Sequence, residues 1–405
     1  MILEGANVVL GVTGGIAAYK AVDLCSKLVQ AGAAVDVIMT EAATQFVTPL
    51  PFQTISKRPV SVDQFHLLRD MDMAHIELSK RADVLVIAPA TANTLAKLAN
   101  GLADNLLTST ALACTAPLVL APAMDADMWA HPATQRNMAL LVERGAWVVG
   151  PGEGRLASGR VGRGRLVDTH VIVGAIRQAL GSRGPLAGRT VLVTAGGTQE
   201  PLDPVRYLGN RSSGKMGYAL AEAARDAGAK VVLVSASTAL EAPFGVELRP
   251  VRTAAEMAAA VLAALGGSEV LLMSAAVADY RPAGAAPEKI KKGSGDLVVP
   301  LARTTDILAA VAERRAQCGP EPRVVVGFAA ETENVMANAR DKLVRKRLDL
   351  IVANDVSASD SGFEVDTNRA TLIDSGGEES LPLMSKAALA ERIVQRVTEL
   401  LQVQR

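Results

Sequence analysis

Short apolar runs alternate along the whole chain with longer stretches in which apolar residues recur at helical spacing. The apolar runs cover residues 8–12, 35–39, 84–88 and 118–121, and then residues 190–194, 230–235, 269–275, 324–328 and 350–353. Runs that are apolar at nearly every position are typical of parallel strands buried on both faces, with helices between them. The pattern therefore predicts an α/β protein with two consecutive, doubly wound, mostly parallel sheets.

A turn-rich segment separates the two series of strands. Residues 171–180 have helical spacing, and residues 181–188 (GSRGPLAG) are rich in glycine, with a serine and a proline. A new strand pattern begins at residue 190. We therefore expect Rossmann-like domains at residues 1–180 and 190–405, joined by a linker at residues 181–189.

Charge and cysteine content narrow the class of protein. Lys+Arg and Asp+Glu both number 42, and this zero net charge argues against a nucleic-acid partner. Cys25, Cys114 and Cys318 are odd in number and widely spaced, which predicts reduced thiols and a cytoplasmic location.

Residues 105–124 carry no charge but contain hydroxyl residues and prolines. They predict a helix and a buried strand rather than a membrane span, and the start of the chain lacks the features of a signal peptide.

A glycine turn follows the first predicted strand. Residues 13–20 (TGGIAAYK) lead from that strand into a helix, and glycines there let backbone N–H groups approach a phosphate. The glycine spacing is not that of a dinucleotide fingerprint, so a mononucleotide such as FMN fits better. A tight connection without a ligand is the alternative.

Further candidate residues lie near the ends of the next strands. Residues 88–94 and 121–129 follow strands at their carboxyl ends, where parallel sheets bind ligands. His75 precedes the third strand and is either a catalytic base or a packed or capping residue. Residues 150–165 contain six glycines and four arginines. They predict either a mobile, arginine-bearing lid over an anion or an ordinary solvated loop.

Together these N-terminal motifs resemble the flavin-dependent cysteine decarboxylases, in particular the phosphopantothenoylcysteine decarboxylases. In that family FMN oxidises the cysteine thiol to a thioaldehyde, carbon dioxide leaves, and reduced flavin returns a hydride to the enethiol. The resemblance implies that His75 is a base and that Ser158 stands where the family has its proton donor. It implies substrate contacts at Asp125, Ala157 and Gly159. The residues it implies for FMN binding are Gly14, Gly15, Ile16, Thr40, Pro89, Ala90, Thr91, Ala92, Asn93 and Met124.

Two residues depart from the pattern of that family. The family usually has Asn where this chain has Asp125, and Cys where it has Ser158. An ionised Asp125 about 4 Å from the substrate carboxylate would repel it by roughly 1–4 kcal/mol, whereas a protonated Asp125 could donate a hydrogen bond. A serine hydroxyl is a far weaker acid than a thiol. We therefore hypothesise that FMN binds but that the reductive half-reaction is impaired.

Polar and basic residues follow the strands of the second half. Residues 210–217 (NRSSGKMG) precede a predicted helix, and Arg206, Asn210 and Lys215 could contact phosphate, amide or carboxylate groups. The segment lacks the glycine spacing of a Walker loop. Residues 287–292 (PEKIKK) are either solvated or positioned to neutralise a triphosphate. Lys342 and Lys346 lie one helical turn apart on one face.

These C-terminal motifs resemble the phosphopantothenate–cysteine ligases, the usual fusion partner of the decarboxylases. The resemblance implies that phosphopantothenate and CTP, with Mg²⁺, form an acyl-cytidylate that cysteine then attacks. It implies catalytic roles for Asn210 and Lys289, and no dedicated protein metal site. The residues it implies for substrate binding are Arg206, Ala275, Asp279, Thr305, Asp306, Ile307, Leu308, Phe328, Lys342 and Lys346.

The order of the two resemblances implies an enzyme of coenzyme A biosynthesis with ligase and decarboxylase activities. It also implies a homo-oligomer, with trimers of the flavin domain and dimers of the ligase domain. One alternative is an active ligase whose flavin domain is retained only as a scaffold. Others are a non-enzymatic flavoprotein regulator and a nicotinamide-dependent reductase with tandem Rossmann domains.

Overall fold

In the computed structural model, the described residues are 2–63, 74–292, 296–319, 321–331, 334–355 and 365–403. The chain divides into two units, Met1–Gly181 and Ser182–Arg405. Each unit contains its own sheet and its own hydrophobic core.

Six parallel strands form the central sheet of the first unit, in the order β3-β2-β1-β4-β5-β6. The strands of this unit are β1 (Asn7–Val12), β2 (Ala34–Met39), β3 (Val60–Ser61), β4 (Val84–Ala90), β5 (Leu118–Pro122), β6 (Trp147–Val148), β7 (Gly152–Arg155) and β8 (Val161–Arg165). The order of strands reverses between β1 and β4. The loops after these two strands therefore diverge and leave a crevice at the carboxyl edge of the sheet.

Helices follow the strands of the first unit. They are α1 (Lys20–Gln30), α2 (Glu41–Thr44), α3 (Pro49–Ser56), α4 (Ala74–Arg81), α5 (Ala92–Asn100), α6 (Leu106–Ala113), α7 (Ala126–Ala130), α8 (Pro132–Glu143) and α9 (Thr169–Gly181), with a 3₁₀ turn at Ile16–Tyr19. Asn105 and Thr108 form a reciprocal capping box that starts α6. Gly11 lets α6 approach the sheet, since a Cβ there would lie 2.5 Å from Leu107 Cδ1.

An eight-stranded sheet forms the centre of the second unit, in the order β13-β12-β9-β14-β17-β18-β20-β21. Its first six strands are parallel, and β20 and β21 extend it as an antiparallel edge. The strands of this unit are β9 (Thr190–Ala195), β10 (Gln199–Pro201), β11 (Tyr207–Gly209), β12 (Lys230–Ser235), β13 (Val246–Pro250), β14 (Val270–Met273), β15 (Tyr280–Pro282), β16 (Leu301–Arg303), β17 (Val324–Glu331), β18 (Leu350–Asp355), β19 (Thr367–Asn368), β20 (Ala370–Asp374), β21 (Gly377–Ser380) and β22 (Met384–Ser385). Here the order of strands reverses between β9 and β14.

Helices cover both faces of the second sheet. They are α10 (Lys215–Asp226), α11 (Ala254–Ala264), α12 (Ile307–Cys318), α13 (Val335–Arg345) and α14 (Lys386–Val403). Alternate residues of β9 face opposite cores: Val191 and Val193 pack with α10 and α14, and Leu192 packs with α11 and α12. Leu186, from the predicted linker, is buried in the first of these cores.

The α/β prediction is confirmed, with strands close to the predicted ranges. The main difference is the predicted strand 269–275, which is shorter and spans Val270–Met273. Ser274 Oγ donates to the Thr194 carbonyl (2.6 Å), and Ala275 N donates to Thr194 Oγ1 (3.1 Å). These side-chain hydrogen bonds bridge the end of the strand, and beyond them Ala276 N donates to the Gly196 carbonyl (2.9 Å). The described part of the chain contains no helix with the length and apolarity needed to cross a membrane.

Candidate functional sites

A buried threonine ties together the two loops that border the crevice of the first unit. Thr13 directly follows β1, and its Oγ1 donates to the Pro89 carbonyl (2.7 Å) at the end of β4. Thr91 N in turn donates to Thr13 Oγ1 (3.1 Å). The ends of the two strands are thereby held in register around the crevice.

Glycines in the loop after β1 leave its backbone free of side chains on the side of the crevice. A Cβ on Gly14 would lie 2.5 Å from Ala42 Cβ and 2.8 Å from the Ala42 backbone, so the position cannot hold a side chain without a shift. Gly15 precedes the 3₁₀ turn in an extended conformation, and no side chain caps that turn. The backbone of this loop is therefore accessible to a ligand in the crevice.

The crevice opens into a cavity of ≈ 1060 Å³, the size class of a cofactor and substrate site. The predicted site residues that line it are Gly14, Gly15, Ile16, Thr40, Pro89, Thr91, Ala92, Asn93, Met124, Asp125, Ala157 and Ser158. Three predicted residues do not line it. Ala90 is fully buried in β4 and Gly159 lies at a hairpin tip. His75 lies in the first turn of α4.

The ordinary solvated loop expected as one alternative for the glycine- and arginine-rich segment 150–165 is wrong. The segment forms an antiparallel hairpin of β7 and β8. The hairpin is docked by backbone contacts, because Met124 N donates to the Gly164 carbonyl (3.0 Å). A Cβ on Gly164 would lie 2.2 Å from the Met124 carbonyl oxygen, so this close approach requires glycine.

The two residues that depart from the decarboxylase pattern contact each other. Ser158 Oγ donates a hydrogen bond to Asp125 Oδ2 (2.7 Å), and Asp125 Oδ1 accepts from Asp127 N (3.1 Å) to cap α7. Arg160 bonds both carboxylate oxygens of Asp127, and its Nη1 lies 3.8 Å from Asp125 Oδ1. The tip of the hairpin is thus joined to the start of α7 by side chains as well as backbone.

These contacts determine the charge of Asp125. The hydrogen bond from Ser158, the one from Asp127 N and the nearby Arg160 guanidinium together lower the pKa of Asp125 below its ordinary value. The carboxylate is therefore ionised at neutral pH and accepts hydrogen bonds. The alternative in which a protonated Asp125 donates to a substrate is not favoured by this geometry.

Four cations line the same cavity, and three of them have acidic partners. Lys97 Nζ bonds Asp104 (2.7 Å), while Lys20 Nζ and Arg165 Nη2 lie 4.0 and 3.2 Å from Asp168 Oδ1. Arg155 also lines the cavity, and within the described residues its guanidinium has no carboxylate partner. Arg155 is therefore the cation that is available to an anionic ligand.

In the second unit, Arg206 is held by a buried carboxylate. Its Nε and Nη2 donate to Asp203 Oδ2 (2.9 and 2.5 Å), and Nη2 also donates to the Ile290 carbonyl (2.9 Å). Ile290 N donates to the same Asp203 oxygen (3.2 Å). Hydrogen bonds from Arg206 and three backbone N–H groups keep the pKa of Asp203 far below its ordinary value. The pair anchors the lysine segment that contains Lys289 to the β10–β11 turn.

Asn210 lies beside the loop that follows β14. Its Nδ2 donates to the Val277 carbonyl (3.1 Å), and Ala278 N donates to Thr198 Oγ1 (2.9 Å). Ala275 and Asp279 belong to this loop, and the Asp279 carbonyl accepts from Thr304 N (2.9 Å). The structure therefore brings Asn210 to the predicted 275–279 segment, with exposed Asp279 and Lys289 nearby in the chain.

A second group gathers around the start of α12. Asp306 caps this helix by accepting from Ala309 N (3.0 Å), and Lys346 Nζ forms an ion pair with Asp306 Oδ2. Lys342 Nζ donates to the Phe328 carbonyl (2.7 Å). The predicted residues Thr305 to Leu308, Phe328, Lys342 and Lys346 are thus brought together from three elements.

Phe328 also lines a small cavity of ≈ 70 Å³ at the start of α10. The polar residues that line this cavity are Ser212, Ser213, Lys215, Ser274, Asn354, Asn368 and Lys386. Sequence reasoning identified residues 210–217 but missed Asn354, Asn368 and Lys386. These lie far along the chain from Lys215, and no local pattern points to them.

The two units correspond to two known kinds of domain. Residues 2–181 match the family model described as Flavoprotein, and residues 186–401 match the model for the DNA/pantothenate metabolism flavoprotein C-terminal domain. The protein therefore belongs to the class in which a flavoprotein domain is followed by a pantothenate-metabolism domain. Among the described residues, no group of three or more His, Cys, Asp or Glu side chains could hold a metal ion.

The chain belongs to the family of coenzyme A biosynthesis bifunctional proteins (CoaBC), as the sequence resemblance predicted. It is 46% identical over 402 residues to the member from Bacillus subtilis, covering 98% of each chain. It is 44% identical over 400 residues to the member from Escherichia coli, again covering 98% of both. A solved C-terminal domain of such a protein is 38% identical, with a TM-score of 0.46, and covers 54% of this chain and 98% of its own.

We predict that Gly164→Ala weakens retention of bound flavin by about tenfold, because the new methyl group must push the hairpin off the Met124 carbonyl. Flavin content of the purified protein, read from visible absorbance after dialysis, measures this. Gly152→Ala on the same hairpin is the matched control, since its Cβ would meet only ordinary contacts at 3.5 and 3.6 Å. Equal flavin content in the two variants would show that the docked hairpin does not form the flavin pocket.

Proposed function

We propose that this chain catalyses two consecutive steps of coenzyme A biosynthesis. The first is CTP-dependent ligation of cysteine to 4'-phosphopantothenate, and the second is FMN-dependent decarboxylation of the product to 4'-phosphopantetheine. The observation that carries the proposal is that predicted site residues gather where the strand order reverses in each unit. The chain also aligns with a bifunctional relative over 98% of its length. Family membership favours both activities over the ligase-only, regulator and reductase alternatives.

We assign decarboxylation to residues 1–180 and ligation to residues 190–405, with residues 181–189 as the linker. The division of the chain at Gly181 and Ser182 and the bounds of the two matched domain models support this assignment. The side chain of Leu186 is buried in the core of the second unit, so that core begins within the proposed linker.

The residues of the first cavity suit FMN. Gly14 leaves room for close approach to the backbone, and Thr40, Thr91 and Asn93 offer polar side chains around a largely apolar space. When bound, FMN supplies the oxidation of the cysteine side chain that makes loss of carbon dioxide possible. The docked hairpin forms one wall of the cavity, and Arg155 is available to the anionic groups of the substrate.

Ser158 has a different role in this arrangement from the proton donor of the family. Its hydroxyl proton is directed to the Asp125 carboxylate (2.7 Å) and not to the cavity. A hydroxyl beside an ionised carboxylate is also a weaker acid than a free one, because ionisation would place two negative charges together. We assign Ser158 to positioning the hairpin, and the proton for the last step to solvent or another group.

In the ligase unit we assign Asn210 to holding the acyl-cytidylate and Lys289 to stabilising charge as cysteine attacks. Asp279, Asp306, Phe328, Lys342 and Lys346 are assigned to CTP. The supporting geometry is the hydrogen bond from Asn210 to the 275–279 loop and the cluster of Asp306, Phe328, Lys342 and Lys346. Magnesium enters with the triphosphate, whose charge it offsets.

His75 does not line the cavity of its own chain, and we propose that it acts in a neighbouring protomer of a flavin-unit trimer. Ile16 and Tyr19 line the cavity yet are 61% and 60% exposed, as expected of residues covered by a partner.

We propose dimers for the ligase unit. A cytoplasmic location is supported by three free cysteines, and cell fractionation would test it.

Purified protein supplied with phosphopantothenate, cysteine, CTP and Mg²⁺ is expected to yield phosphopantetheine, with one pyrophosphate per turnover. Mass spectrometry of the products measures this. Phosphopantothenoylcysteine as the final product would mean that only the ligase works. A product two hydrogens lighter than phosphopantetheine would mean that the reductive half-reaction fails, as we hypothesised for a chain with Asp125 and Ser158.

Asn210→Asp is expected to let the acyl-cytidylate accumulate and to slow ligation by about tenfold or more. The amide donor is replaced by a charge that repels the phosphate of the intermediate. Quenched-flow analysis with labelled CTP measures the intermediate. Gln395→Glu, at an exposed position in the middle of α14, is the control for exchanging an amide for a charge. Unchanged turnover and an unchanged level of intermediate would show that Asn210 does not take part in the reaction.

The trimer proposal predicts complementation between two impaired chains, assayed without added flavin. A chain with His75→Ala has an intact cavity, and a chain with Gly164→Ala has an intact His75. If His75 acts in trans, equal co-expression should restore decarboxylation to about a quarter of the wild-type rate, because one site in four combines both intact parts. No recovery, or a single-chain mass by light scattering, would contradict it.

A further inference from the structure

A buried carboxylate lies between two parts of the proposed ligase site that are far apart in the chain. Asp203 belongs to the loop between β10 and β11, and its side chain has 0% of its surface exposed. Arg206 follows in the same loop. Ile290, which is 87 positions after Asp203, is the residue next to Lys289. One buried side chain therefore contacts both segments.

The two carboxylate oxygens of Asp203 have different partners. Oδ1 accepts from Val205 N and from Arg206 N (both 2.8 Å), which is the pattern by which an aspartate closes a turn in its own loop. Oδ2 accepts from Arg206 Nε (2.9 Å) and from Ile290 N (3.2 Å). The turn needs only the first oxygen, so the contacts of the second oxygen serve another purpose.

The second oxygen fixes the backbone beside Lys289. Arg206 Nη2 donates both to Asp203 Oδ2 (2.5 Å) and to the Ile290 carbonyl (2.9 Å), so the N–H and the carbonyl of Ile290 are both held. Residues 285–292 form neither a helix nor a strand, and their position therefore depends on such contacts. The Lys289 side chain is exposed and has no acidic partner among the described residues, so it is available to a ligand.

We propose that Asp203 is a positioning residue of the ligase, which holds Arg206 and Ile290 so that Lys289 meets the charge that develops during attack by cysteine. The inference rests on the proposed function, which assigns Lys289 to this step. The cysteine amine forms a C–N bond to the acyl carbon, and the C–O bond to the departing CMP breaks. Asp203 acts only through other residues, since its carboxylate is buried and occupied by donors of the protein. A displacement of about 1 Å at a reacting group costs on the order of a hundredfold in rate, so a held backbone at Lys289 matters.

Asp203→Asn is expected to slow ligation by about tenfold or more and to let the acyl-cytidylate accumulate. The amide keeps the size of the side chain, but its NH₂ group faces N–H donors where an oxygen accepted them. Pyrophosphate release in the first turnover should stay within about twofold of wild type, because Lys289 is assigned to the later step. Quenched-flow analysis with labelled CTP measures both quantities.

Asp374→Asn is the matched control for loss of a buried carboxylate. The side chain of Asp374 is 2% exposed, and its Oδ2 accepts from Arg396 Nε (2.7 Å). Asp374 pairs with Leu350 at the amino end of β18, whereas the proposed site lies at the carboxyl ends of the strands. This variant should lose thermal stability as Asp203→Asn does, with both phases of ligation like those of wild type. Equal accumulation of acyl-cytidylate in the two variants would overturn the proposal.

Trypsin tests the position of the segment directly, because it cleaves after Lys289 only when the neighbouring backbone is released. Cleavage at this bond should be about tenfold faster in Asp203→Asn than in wild type or Asp374→Asn. An unchanged level of acyl-cytidylate in a folded Asp203→Asn protein would overturn the proposal. If that variant does not fold, Ile290→Pro removes only the N–H that reaches Asp203, and it should cause the same accumulation.

The proposed function and the positioning role can fail separately. Absence of CTP-dependent turnover in the wild type would contradict the proposed function. Trypsin cleavage after Lys289 then decides the role of Asp203 alone, and equal rates in wild type and Asp203→Asn would overturn it.

Discussion

A buried threonine at the end of the central strand holds each crevice together. Thr13 joins the loops after β1 and β4, and Thr194 joins the ends of β9 and β14 through hydrogen bonds with Ser274 and Ala275. Each bond contributes only about 0.5–1.5 kcal/mol, but losing the threonine hydroxyl would leave the Pro89 carbonyl in the first unit and Ala275 N in the second without this partner. Where the strand order reverses, these side-chain hydrogen bonds hold the strand ends together, and in the second unit a backbone bond from Ala276 N to the Gly196 carbonyl (2.9 Å) adds to them. The glycines that follow both threonines then leave the crevice open.

Much of this arrangement could be predicted from the sequence because it depends on local pattern. Buried parallel strands are recognisable as apolar runs, and their carboxyl ends locate the ligand-binding edge. The strand pattern therefore places residues 88–94 and 121–129 at this edge, and the family resemblance selects Thr91, Asn93 and Met124 among them. His75 shows the limit of such reasoning, since it precedes a strand in the right order yet does not line the cavity of its own chain.

The features that could not be predicted depend on pairing between distant residues. The β7–β8 hairpin has a composition of glycine and arginine that is typical of loops, and its strands form only because they pair with each other and dock on Met124. Lys386 lies 171 positions after Lys215, and only the packing of α10 and α14 on one face of the sheet brings the two together. Arg206 looked like a free cation in the sequence, but Asp203 holds it three residues away.

The contact between Asp125 and Ser158 indicates that the two departures from the decarboxylase pattern form one change. An asparagine can donate and accept, whereas an ionised aspartate only accepts and requires a donor. A serine hydroxyl at 158 supplies that donor at 2.7 Å, and a thiol would be a weaker one. Asp125 therefore favours Ser158 over cysteine, and Arg160 adds a second positive contact at 3.8 Å. The ionised Asp125 places a negative charge at the wall of a cavity proposed to take an anionic substrate. Arg155 on the hairpin, which has no carboxylate partner among the described residues, therefore matters to substrate binding.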